Sequence, residues 1–422
     1  MYLVYSFLLF LSLIIYIPVY FVKLKLRRKE SLHMKERFGF GIKSQKEGRR
    51  SIWIHAVSVG EVLSLQNFVA RLKKEHPDWK IYFSSLTNTG IKVARDKLAA
   101  ADMIFYVPFD FKWVVRKFFR ILKPDIFILA ESEFWPNMLR EAKKNTRGTI
   151  LINGRISQNS YSRYRRIRLI VKRILGKISL FLVQAEIDKE RLIDIAVCPD
   201  SIQVVGNLKA DIDLPLLTKK EQLDLKRRLN IPEGKILLLA GSIHKGEDNQ
   251  VVEAFAMAKK KRQELRMIIA PRHLERVSEI DNLCRQSGLT VSLKTRVKPG
   301  NRWDVLILDT MGELAQLYTV CDLAFMGGSL ISWGGQNLLE PAFYGKPVFF
   351  GPHMDNFLAI TEKFLQSGAA EVCPDKDALE KMLIRVDGEQ MSEMGKKARL
   401  TLDSIRGATN KTLSVVEKLM NV

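Results

Sequence analysis

Short apolar runs alternate with longer helical patterns over most of the chain, and this alternation determines the expected fold class. In residues 51–206, six runs have the length and apolar content of buried strands. They are Ser51–Ala56, Lys80–Ser85, Met103–Val107, Asp125–Ala130, Thr149–Ile152 and Ser179–Gln184. Helical patterns lie between them, for example at Val62–Lys74, Lys112–Leu122 and Tyr161–Ile178. Strands that alternate with helices predict a parallel, doubly wound α/β sheet.

A polar segment over residues 207–220, which contains Pro215, interrupts the alternation and is typical of a linker. A second set of apolar runs follows within residues 221–422, at Lys235–Ala240, Arg266–Ala270, Asp304–Leu308, Asp322–Met326 and Pro347–Phe350. A chain of 422 residues is long enough for at least two domains. We therefore expect two Rossmann-like α/β domains that face one another across a cleft.

The amino terminus predicts a membrane anchor. Residues 1–22 contain no charged side chain, and as a helix they would be about 33 Å long, enough to cross a hydrocarbon core. A basic neck, residues 23–50, follows and begins with Lys23, Lys25, Arg27, Arg28 and Lys29. The positive-inside rule then places the remaining chain in the cytoplasm. Shallow monotopic insertion also fits this pattern, whereas a cleaved signal peptide would need a basic start and a small-residue cleavage site.

The charge of the chain indicates an anionic partner. There are 68 Lys and Arg against 46 Asp and Glu, a formal net charge of +22, which suits nucleic acid, an anionic membrane surface or a phosphorylated substrate. Residues 161–178 carry seven of the basic side chains and no acid. Their apolar positions recur at helical spacing, so we expect the apolar stripe to pack on the sheet and the basic face to meet anionic lipid. Nucleic acid is not expected, because a binding groove with interleaved aromatic residues is missing from the pattern.

Ligands of open parallel sheets bind beyond the carboxyl ends of the strands, so polar residues that follow the first-half strands are candidates. Glu61, in His55-Ala-Val-Ser-Val-Gly-Glu61, is either a carboxylate that caps a helix or a general base. Glu131 directly follows an apolar run, in Glu131-Ser-Glu-Phe-Trp-Pro-Asn137. There it suits the stabilisation of a developing cation, although an acidic first turn of a helix also explains it.

The second half contains the candidate phosphate chemistry. Gly241–Gly246 has glycine spacing like a P-loop, but Glu247 and Asp248 stand where Lys and Ser or Thr are needed, which excludes a P-loop NTPase. Arg272 ends a predicted strand and could fork onto a phosphate, or could be an ordinary surface arginine.

A glycine-rich approach, Gly327 to Gly335, precedes Asn337-Leu-Leu-Glu-Pro341. Its backbone N–H groups are expected to meet an anion, and Glu340, about one turn into a helix starting near Gln336, to accept hydrogen bonds from ribose hydroxyls.

Several other kinds of site have no support in the sequence. No G-x-G-x-x-G, H-E-x-x-H, C-x-x-C or G-x-S-x-G motif occurs, which argues against dinucleotide binding, metalloprotease and serine hydrolase chemistry. Asp211-Ile-Asp213 is nominally a D-x-D motif, but it has no third ligand nearby and is interpreted as solvated linker. The four cysteines are too scattered for a disulfide framework or a metal cluster, as expected in a reducing compartment.

Taken together, six motifs in this order resemble the family of 3-deoxy-D-manno-octulosonic acid (Kdo) transferases of lipopolysaccharide synthesis. The motifs are residues 55–61, 131–137, 207–209, 271–273, 310–314 and 327–340. The resemblance extends from the amino-terminal anchor to the last helices. It implies a GT-B fold, CMP-Kdo as donor and a lipid A precursor (lipid IVA) as acceptor at the cytoplasmic face of the inner membrane. It also implies inverting transfer that needs no metal or other cofactor.

The resemblance further implies roles for individual residues. Glu61 matches the general base, and Glu131 and Lys209 match positions assigned to transition-state stabilisation. The CMP-binding segments match Pro271, Arg272, Met311, Gly312, Glu313, Asn337, Leu338, Leu339 and Glu340. Ile243 and Gln336 depart from the threonine and histidine common in the family, and we assign no catalysis to them.

Two other functions fit parts of the same pattern. A GT-B transferase that uses a UDP-sugar is the nearest enzymatic alternative, and competition by CMP but not by UDP would exclude it. A membrane-tethered nucleic-acid-binding protein is suggested by the net charge alone. A salt-dependent gel shift at physiological ionic strength would support that second alternative.

Overall fold

The computed structural model describes residues 33–43 and 48–421, together with residues 2, 5–7, 9–12 and 14. The chain forms two compact units. Unit 1 comprises residues 1–211 and 406–422, and unit 2 comprises residues 212–405. The predicted division differs, since it placed residues 207–220 in a linker and all of residues 221–422 in the second domain.

Unit 1 is built on a seven-stranded sheet of parallel strands. The strands are β1 Ser51–Ala56, β2 Lys80–Ser85, β3 Met103–Tyr106, β4 Ile126–Ala130, β5 Gly148–Gly154, β6 Leu180–Val183 and β7 Ile202–Val204. The helices are α1 Met34–Arg37, α2 Val59–Ser64, α3 Gln66–Glu75, α4 Asn88–Lys97, α5 Lys112–Leu122, α6 Pro136–Asn145, α7 Gln158–Arg166, α8 Arg168–Leu175 and α9 Glu186–Asp194. Strands β1 and β4 are buried along their whole length, as continuous apolar runs predict for a sheet covered on both faces.

Unit 2 repeats this plan with a second sheet of seven parallel strands. The strands are β8 Ile236–Ile243, β9 Leu265–Pro271, β10 Val291–Leu293, β11 Val305–Ile307, β12 Leu323–Met326, β13 Val348–Phe350 and β14 Ala370–Val372. The helices are α10 Lys219–Arg228, α11 Asp248–Lys261, α12 Val277–Gln286, α13 Leu314–Leu317, α14 Leu339–Phe343, α15 Leu358–Gln366, α16 Lys376–Arg385 and α17 Gly388–Ile405.

The strand order gives each sheet a switch point beside its first strand. The order is β3-β2-β1-β4-β5-β6-β7 in unit 1 and β10-β11-β9-β8-β12-β13-β14 in unit 2. Connections therefore run in opposite directions on the two sides of the β1–β4 pair and of the β8–β12 pair. Crevices at such points are where open α/β sheets bind ligands. The loops after β1 and β4, and those after β8 and β12, are thus the places to look for a site.

The last helix, α18 Ala408–Asn421, returns to unit 1. Its buried face packs into the same apolar cluster as Ile52 of β1. The carboxylate of Asp211 accepts hydrogen bonds from the backbone N–H groups of Gly407, at 2.6 Å, and Thr409 at the start of this helix. Asp211 is therefore a helix cap and not the solvated linker residue that its D-x-D context indicated, because the chain that leaves unit 1 and the chain that re-enters it meet there.

The basic stretch over residues 161–178 forms two helices, α7 and α8, with a break at Ile167. Val171, Leu175 and Ile178 are buried in the unit 1 core, as predicted. Ile167 and Ile170 are exposed, so the expectation that the whole apolar stripe packs on the sheet is wrong for these two positions, and the neighbouring Leu169 is exposed as well. The break turns these three side chains away from the sheet and leaves them among arginines.

The predicted anchor over residues 1–22 and the basic neck over residues 23–50 lie largely outside the described residues. Of the described amino-terminal residues, Ser6 accepts a hydrogen bond from Asn137 (3.1 Å) and Leu9 packs against the unit 1 core. Within the part of the chain that the structure describes, no helix combines the length and apolar character needed to cross a membrane.

Candidate active site

Glu61 follows β1 at the switch point of unit 1 and lies in the first turn of α2, where it forms a capping box with Ser58. Its carboxylate accepts hydrogen bonds from the backbone N–H of Val57 (2.8 Å) and from the backbone N–H (3.3 Å) and hydroxyl (2.9 Å) of Ser58. The Ser58 hydroxyl in turn accepts a hydrogen bond from the Glu61 N–H. Capping, one of the two roles that the sequence left open, is therefore real, and it holds the carboxylate in a single place.

The same carboxylate is poised for proton transfer. Glu61 is 7% exposed, and burial raises its pKa to about 7. The hydrogen bonds from Val57 and Ser58 oppose this rise, whereas the negative charges of Glu131 and Glu133 add to it. A carboxylate with a pKa close to neutrality suits general-base catalysis, because it is partly ionised at physiological pH and binds a proton well.

Glu131 stands on the other side of this switch point, directly after β4, in a backbone conformation unusual for its residue type. Its φ of 54° lies in the left-handed region, which costs a side chain of this kind roughly 1–3 kcal/mol. The Glu131 N–H donates to the carbonyl of Ile152 (3.0 Å), so the neighbouring strand β5 holds the turn in place. Strain of this sort is characteristic of functional sites, because the surrounding structure has to enforce it.

Lys209 joins the same site. Its Nζ lies 3.7 Å from Oε1 of Glu131, and both side chains are about one-fifth exposed. A 3-10 turn, Leu208–Ala210, carries Lys209, and the Asn207 side chain caps this turn by accepting from the Lys209 N–H (2.9 Å). The structure thus brings together Glu61, Glu131 and Lys209, which were predicted from three separate motifs.

Two asparagine-centred contacts that the sequence did not reveal hold the Lys209 turn. The side-chain oxygen of Asn153 accepts from the Leu208 N–H (3.0 Å), and Asn207 donates to the side chain of Gln184 (2.9 Å). Asn153 itself has a φ of 53°. Asparagine tolerates the left-handed region better than most residues, and that preference is the only local signal that could have drawn attention to Asn153.

Glu133, two residues after Glu131, is a further site residue that was not among those predicted from the sequence. It accepts a hydrogen bond from the indole N–H of Trp135 (3.1 Å), and the Trp135 ring meets the buried His55 edge-on. Burial raises the pKa of Glu133, and the charge of Glu131 adds to the rise. Among the described residues, no three His, Cys, Asp or Glu side chains are grouped to hold a metal ion, and this includes the three glutamates here.

The predicted nucleotide-binding residues of unit 2 also follow strands, but they differ from one another in exposure and in hydrogen-bond partners. Arg272 follows β9 directly and is exposed, with its N–H donating to the carbonyl of Ile243 (2.8 Å). Pro271 is buried at the end of the strand. An exposed guanidinium held by a rigid strand end is free to bind a phosphate in a fork.

The segment Met311–Glu313 follows β11 and is fixed by a lysine. Glu313 accepts hydrogen bonds from Nζ of Lys294, at 2.7 and 2.9 Å, and from the Thr310 hydroxyl. Burial alone would raise the pKa of Glu313, but these hydrogen bonds outweigh it and hold the pKa below its ordinary value. Met311 is exposed, and Gly312 has a φ of 86°. The anchored Glu313 leaves Met311 and the backbone of Gly312 available to a ligand.

The segment Asn337–Glu340 presents two polar side chains. Nδ2 of Asn337 donates to Oε1 of Glu340 (3.2 Å), and burial raises the pKa of Glu340. Leu338 and Leu339 are fully buried, so their side chains belong to the core and do not face a ligand. Helix α14 starts at Leu339, which places Glu340 in its first turn and corrects the expected start near Gln336.

The glycine-rich loop after β12 does not offer its amides to an outside anion as predicted. The N–H groups of Gly328, Ser329 and Leu330 all point at the carboxylate of Glu247, in the loop after β8. Gln336 instead lies beside His244, with 2.9 Å between the Gln336 Nε2 and the His244 Nε2 atoms, and the His244 ring stacks on Trp333. The two loops of the unit 2 switch point therefore meet through Glu247 and His244.

Two doubly wound parallel sheets, each with polar side chains at its switch point, are the architecture of GT-B glycosyltransferases. Solved structures agree with this fold. A glycosyltransferase from Rickettsia africae matches with a TM-score of 0.60 at 12% identity, over 88% of this chain and 99% of that one. Anabaena Alr3699/HepE, solved with UDP and glucose, matches with a TM-score of 0.59 at 13% identity, over 88% and 100%.

Sequence comparison defines the family. The model for "3-Deoxy-D-manno-octulosonic-acid transferase (kdotransferase)" matches residues 32–212. The chain is 30% identical to the 3-deoxy-D-manno-octulosonic acid transferase of Haemophilus influenzae over 90% of both chains, and 31% identical to that of Chlamydophila psittaci over 82% of this chain and 79% of the relative. It spans 53% of a 34% identical bifunctional glycosyltransferase/methyltransferase of Fusobacterium nucleatum. This chain belongs to the Kdo transferase family, and the resemblance inferred from its motifs is confirmed.

Proposed function

We propose that this protein transfers Kdo from CMP-Kdo to a lipid A precursor, with inversion at the anomeric carbon and without a metal ion. Family membership supports the chemistry, and the placement of Glu61 supports the mechanism. Glu61 is a buried carboxylate with a pKa of about 7, held in one orientation at the switch point of unit 1. In this proposal it takes the proton from the acceptor hydroxyl, whose oxygen then attacks the anomeric carbon of Kdo.

The leaving group is handled by unit 2 in this proposal. As the bond from the anomeric carbon to the phosphate oxygen breaks, CMP departs with the electron pair and carries additional negative charge. The exposed guanidinium of Arg272 stabilises that charge without a divalent ion. Asn337 and Glu340 bind the nucleoside, because the carboxylate of Glu340 still has acceptor capacity for ribose hydroxyls beyond its hydrogen bond from Asn337.

The sugar passes through a state with positive charge at the anomeric carbon. The strained backbone of Glu131 fixes a carboxylate at the unit 1 switch point, where it favours such a cation. Lys209, 3.7 Å from Glu131, offsets the charge of the Kdo carboxylate or of the phosphate. In this proposal Glu131 stabilises the positive charge at the anomeric carbon, and Lys209 stabilises the negative group beside it.

An anionic membrane surface is the proposed location, at the cytoplasmic face of the inner membrane. The exposed side chains of Ile167, Leu169 and Ile170 lie among the arginines of α7 and α8, a combination suited to an interface of acyl chains and phosphates. The acceptor carries both kinds of group. A basic protein that rests on the membrane meets such an acceptor without extracting it into water.

The direct test incubates the protein with CMP-Kdo and lipid IVA, followed by mass analysis of the lipid product. The expected result is lipid that has gained Kdo, with CMP but not UDP competing for the donor site. A Glu61→Gln variant serves as the matched control for chemistry, since it keeps the size of the side chain and removes the base. Unmodified lipid with the native protein, or competition by UDP in place of CMP, would contradict the proposal.

A further inference from the structure

Glu247 is a fully buried carboxylate whose two oxygens are taken up by backbone amides. Oε1 accepts from the N–H groups of His244 (2.8 Å) and Gly328, and Oε2 accepts from those of Ser329 (3.2 Å) and Leu330 (3.3 Å). Within the described residues Glu247 forms no ion pair. The four amides come from the loop after β8 and the loop after β12, so this one side chain links the two halves of the unit 2 switch point.

A buried charge without a counter-ion is costly unless dipoles surround it. Successive N–H groups that converge in a loop form an anion-binding nest, the kind of site that a phosphate occupies in P-loop proteins. Here the nest is preserved and its anion is part of the chain. The likeness of residues 241–246 to a P-loop has a physical basis. A P-loop needs Lys and Ser or Thr after its glycines, whereas this chain has a glutamate that fills the nest itself.

We infer that Glu247 acts as an internal substitute for a bound phosphate, fixing the two loops so that Gln336, Trp333 and His244 are positioned for the donor nucleotide. The inference rests on the proposed function, since it assigns the donor site to this switch point. It also means that the donor phosphate is received by side chains such as Arg272 and not by the amides of residues 328–330. Glu247 is a positioning residue, because in this arrangement it does not touch the substrate.

The loop that Glu247 fixes is connected to the rest of the site. The Ser329 hydroxyl accepts from the N–H of Gly351 (2.7 Å), and the Ser329 carbonyl accepts from the N–H of His353 (3.0 Å). The Gly328 carbonyl accepts from the Gly335 N–H (2.9 Å), next to Gln336. Loss of the central anion would leave amides buried without partners, and the displacement would reach the residues around Trp333.

Glu247→Ala tests this inference through chemical rescue. The substitution removes the equivalent of one acetate molecule and leaves a vacancy lined by four N–H groups. We expect CMP to bind about 10- to 100-fold more weakly by calorimetry, the loss that corresponds to leaving buried donors unpaired. Added acetate should restore most of the affinity, whereas neutral acetamide should not. CMP affinity within about twofold of the native value, or equal rescue by acetamide, would overturn the inference.

A second measurement makes the inference independent of the donor. Trp333 fluorescence, isolated by difference from a Trp333→Phe variant, should change in Glu247→Ala and return with acetate. If the native protein failed to bind CMP, the proposed function would fail, while the response of Trp333 to acetate would still decide the role of Glu247. Glu253→Ala, an exposed substitution on α11, is the matched control and should show neither effect.

Glu247→Gln covers the case in which the alanine variant does not fold, as judged by circular dichroism. The amide keeps the shape of the side chain but turns an N–H₂ group toward backbone N–H donors. It should weaken CMP binding without any rescue by acetate, because it leaves no vacancy. Native affinity in Glu247→Gln would overturn the inference.

Discussion

Glu61 in unit 1 and Glu247 in unit 2 occupy equivalent places in two similar sheets, and burial raises the pKa of both, yet the loops opposite them supply different groups. Each follows the first strand of its sheet, stands at the start of the next helix and is buried. Across the switch point from Glu61, the loop after β4 supplies two further carboxylates, Glu131 and Glu133, which add to the rise in its pKa. Across the switch point from Glu247, the loop after β12 supplies three amide N–H groups.

In our proposals, this difference lets one architectural position serve chemistry in unit 1 and organisation in unit 2. Burial is the main cause of the raised pKa of Glu61, the negative charges of Glu131 and Glu133 add to it, and the carboxylate retains the capacity to bind a proton. Burial raises the pKa of Glu247 as well, but the hydrogen bonds from four backbone N–H groups oppose this rise and favour the anion. The partner loop across the crevice, more than the glutamate itself, determines which role results.

Replacing Glu61 is the largest expected perturbation. Glu61→Gln should reduce transfer by about 10²- to 10⁴-fold, the usual contribution of a general base, while CMP binding stays within about twofold of native. Transfer is measured by mass analysis of the lipid and binding by calorimetry. Loss of CMP affinity with unchanged turnover in Glu61→Gln would contradict the assignment of Glu61 as the base.

Replacing Lys209, the cation beside Glu131, should have the next largest effect. Lys209→Met removes the cation beside Glu131 and should lower kcat by about 10²-fold, with a smaller change in the KM for the donor, because the charge acts mainly in the transition state. Steady-state kinetics at saturating acceptor measures both constants. Lys92→Met, an exposed substitution in the same unit, is the control and should leave kcat unchanged.

Arg272 tests the binding role assigned to unit 2. Arg272→Ala should weaken donor binding by about 10-fold, the value of one charge-assisted hydrogen bond, with the effect appearing chiefly in the KM for CMP-Kdo. Arg285→Ala, at an exposed arginine of α12, should leave that KM unchanged. A pure loss of kcat in Arg272→Ala would move this residue from binding to chemistry and weaken the contrast between the units.

The smallest predicted effect concerns the like charges around Glu61. Glu133→Gln removes a negative neighbour, which lowers the pKa of Glu61, so the base stays ionised to a lower pH. The acid limb of the pH–rate profile should therefore move toward lower pH by less than about one unit. No movement, or a movement toward higher pH, would contradict this electrostatic effect of Glu133 on Glu61.

The sequence predicted the central strands and the edge strand β3, but it missed the other three edge strands. Eleven strand predictions correspond to strands of the structure, while β7, β10 and β14 were not predicted. All three are three residues long and lie at the ends of their sheets. An edge strand has a neighbouring strand on one side only and is less buried. Its residues are therefore less apolar and do not form the continuous apolar run that predicts a buried strand.

Site residues followed the same logic. Glu61 and Glu131 could be selected as polar residues that follow apolar runs in a parallel α/β pattern, whereas Lys209, in the predicted linker, was selected only through the family resemblance. The role of Glu247 could not, since the four amides that surround it come from two loops about 80 residues apart, and only the sheet order brings them together. The capping role of Asp211 was hidden for the same reason, because its partners lie near the end of the chain.

The pH dependence of transfer by the native protein tests the central claim most directly. Because burial raises the pKa of Glu61 to about 7, kcat/KM should fall about tenfold for each pH unit below that value and level off above it. A rate that stays level down to about pH 5, near the ordinary pKa of a glutamate, would contradict the assignment of Glu61 as the base.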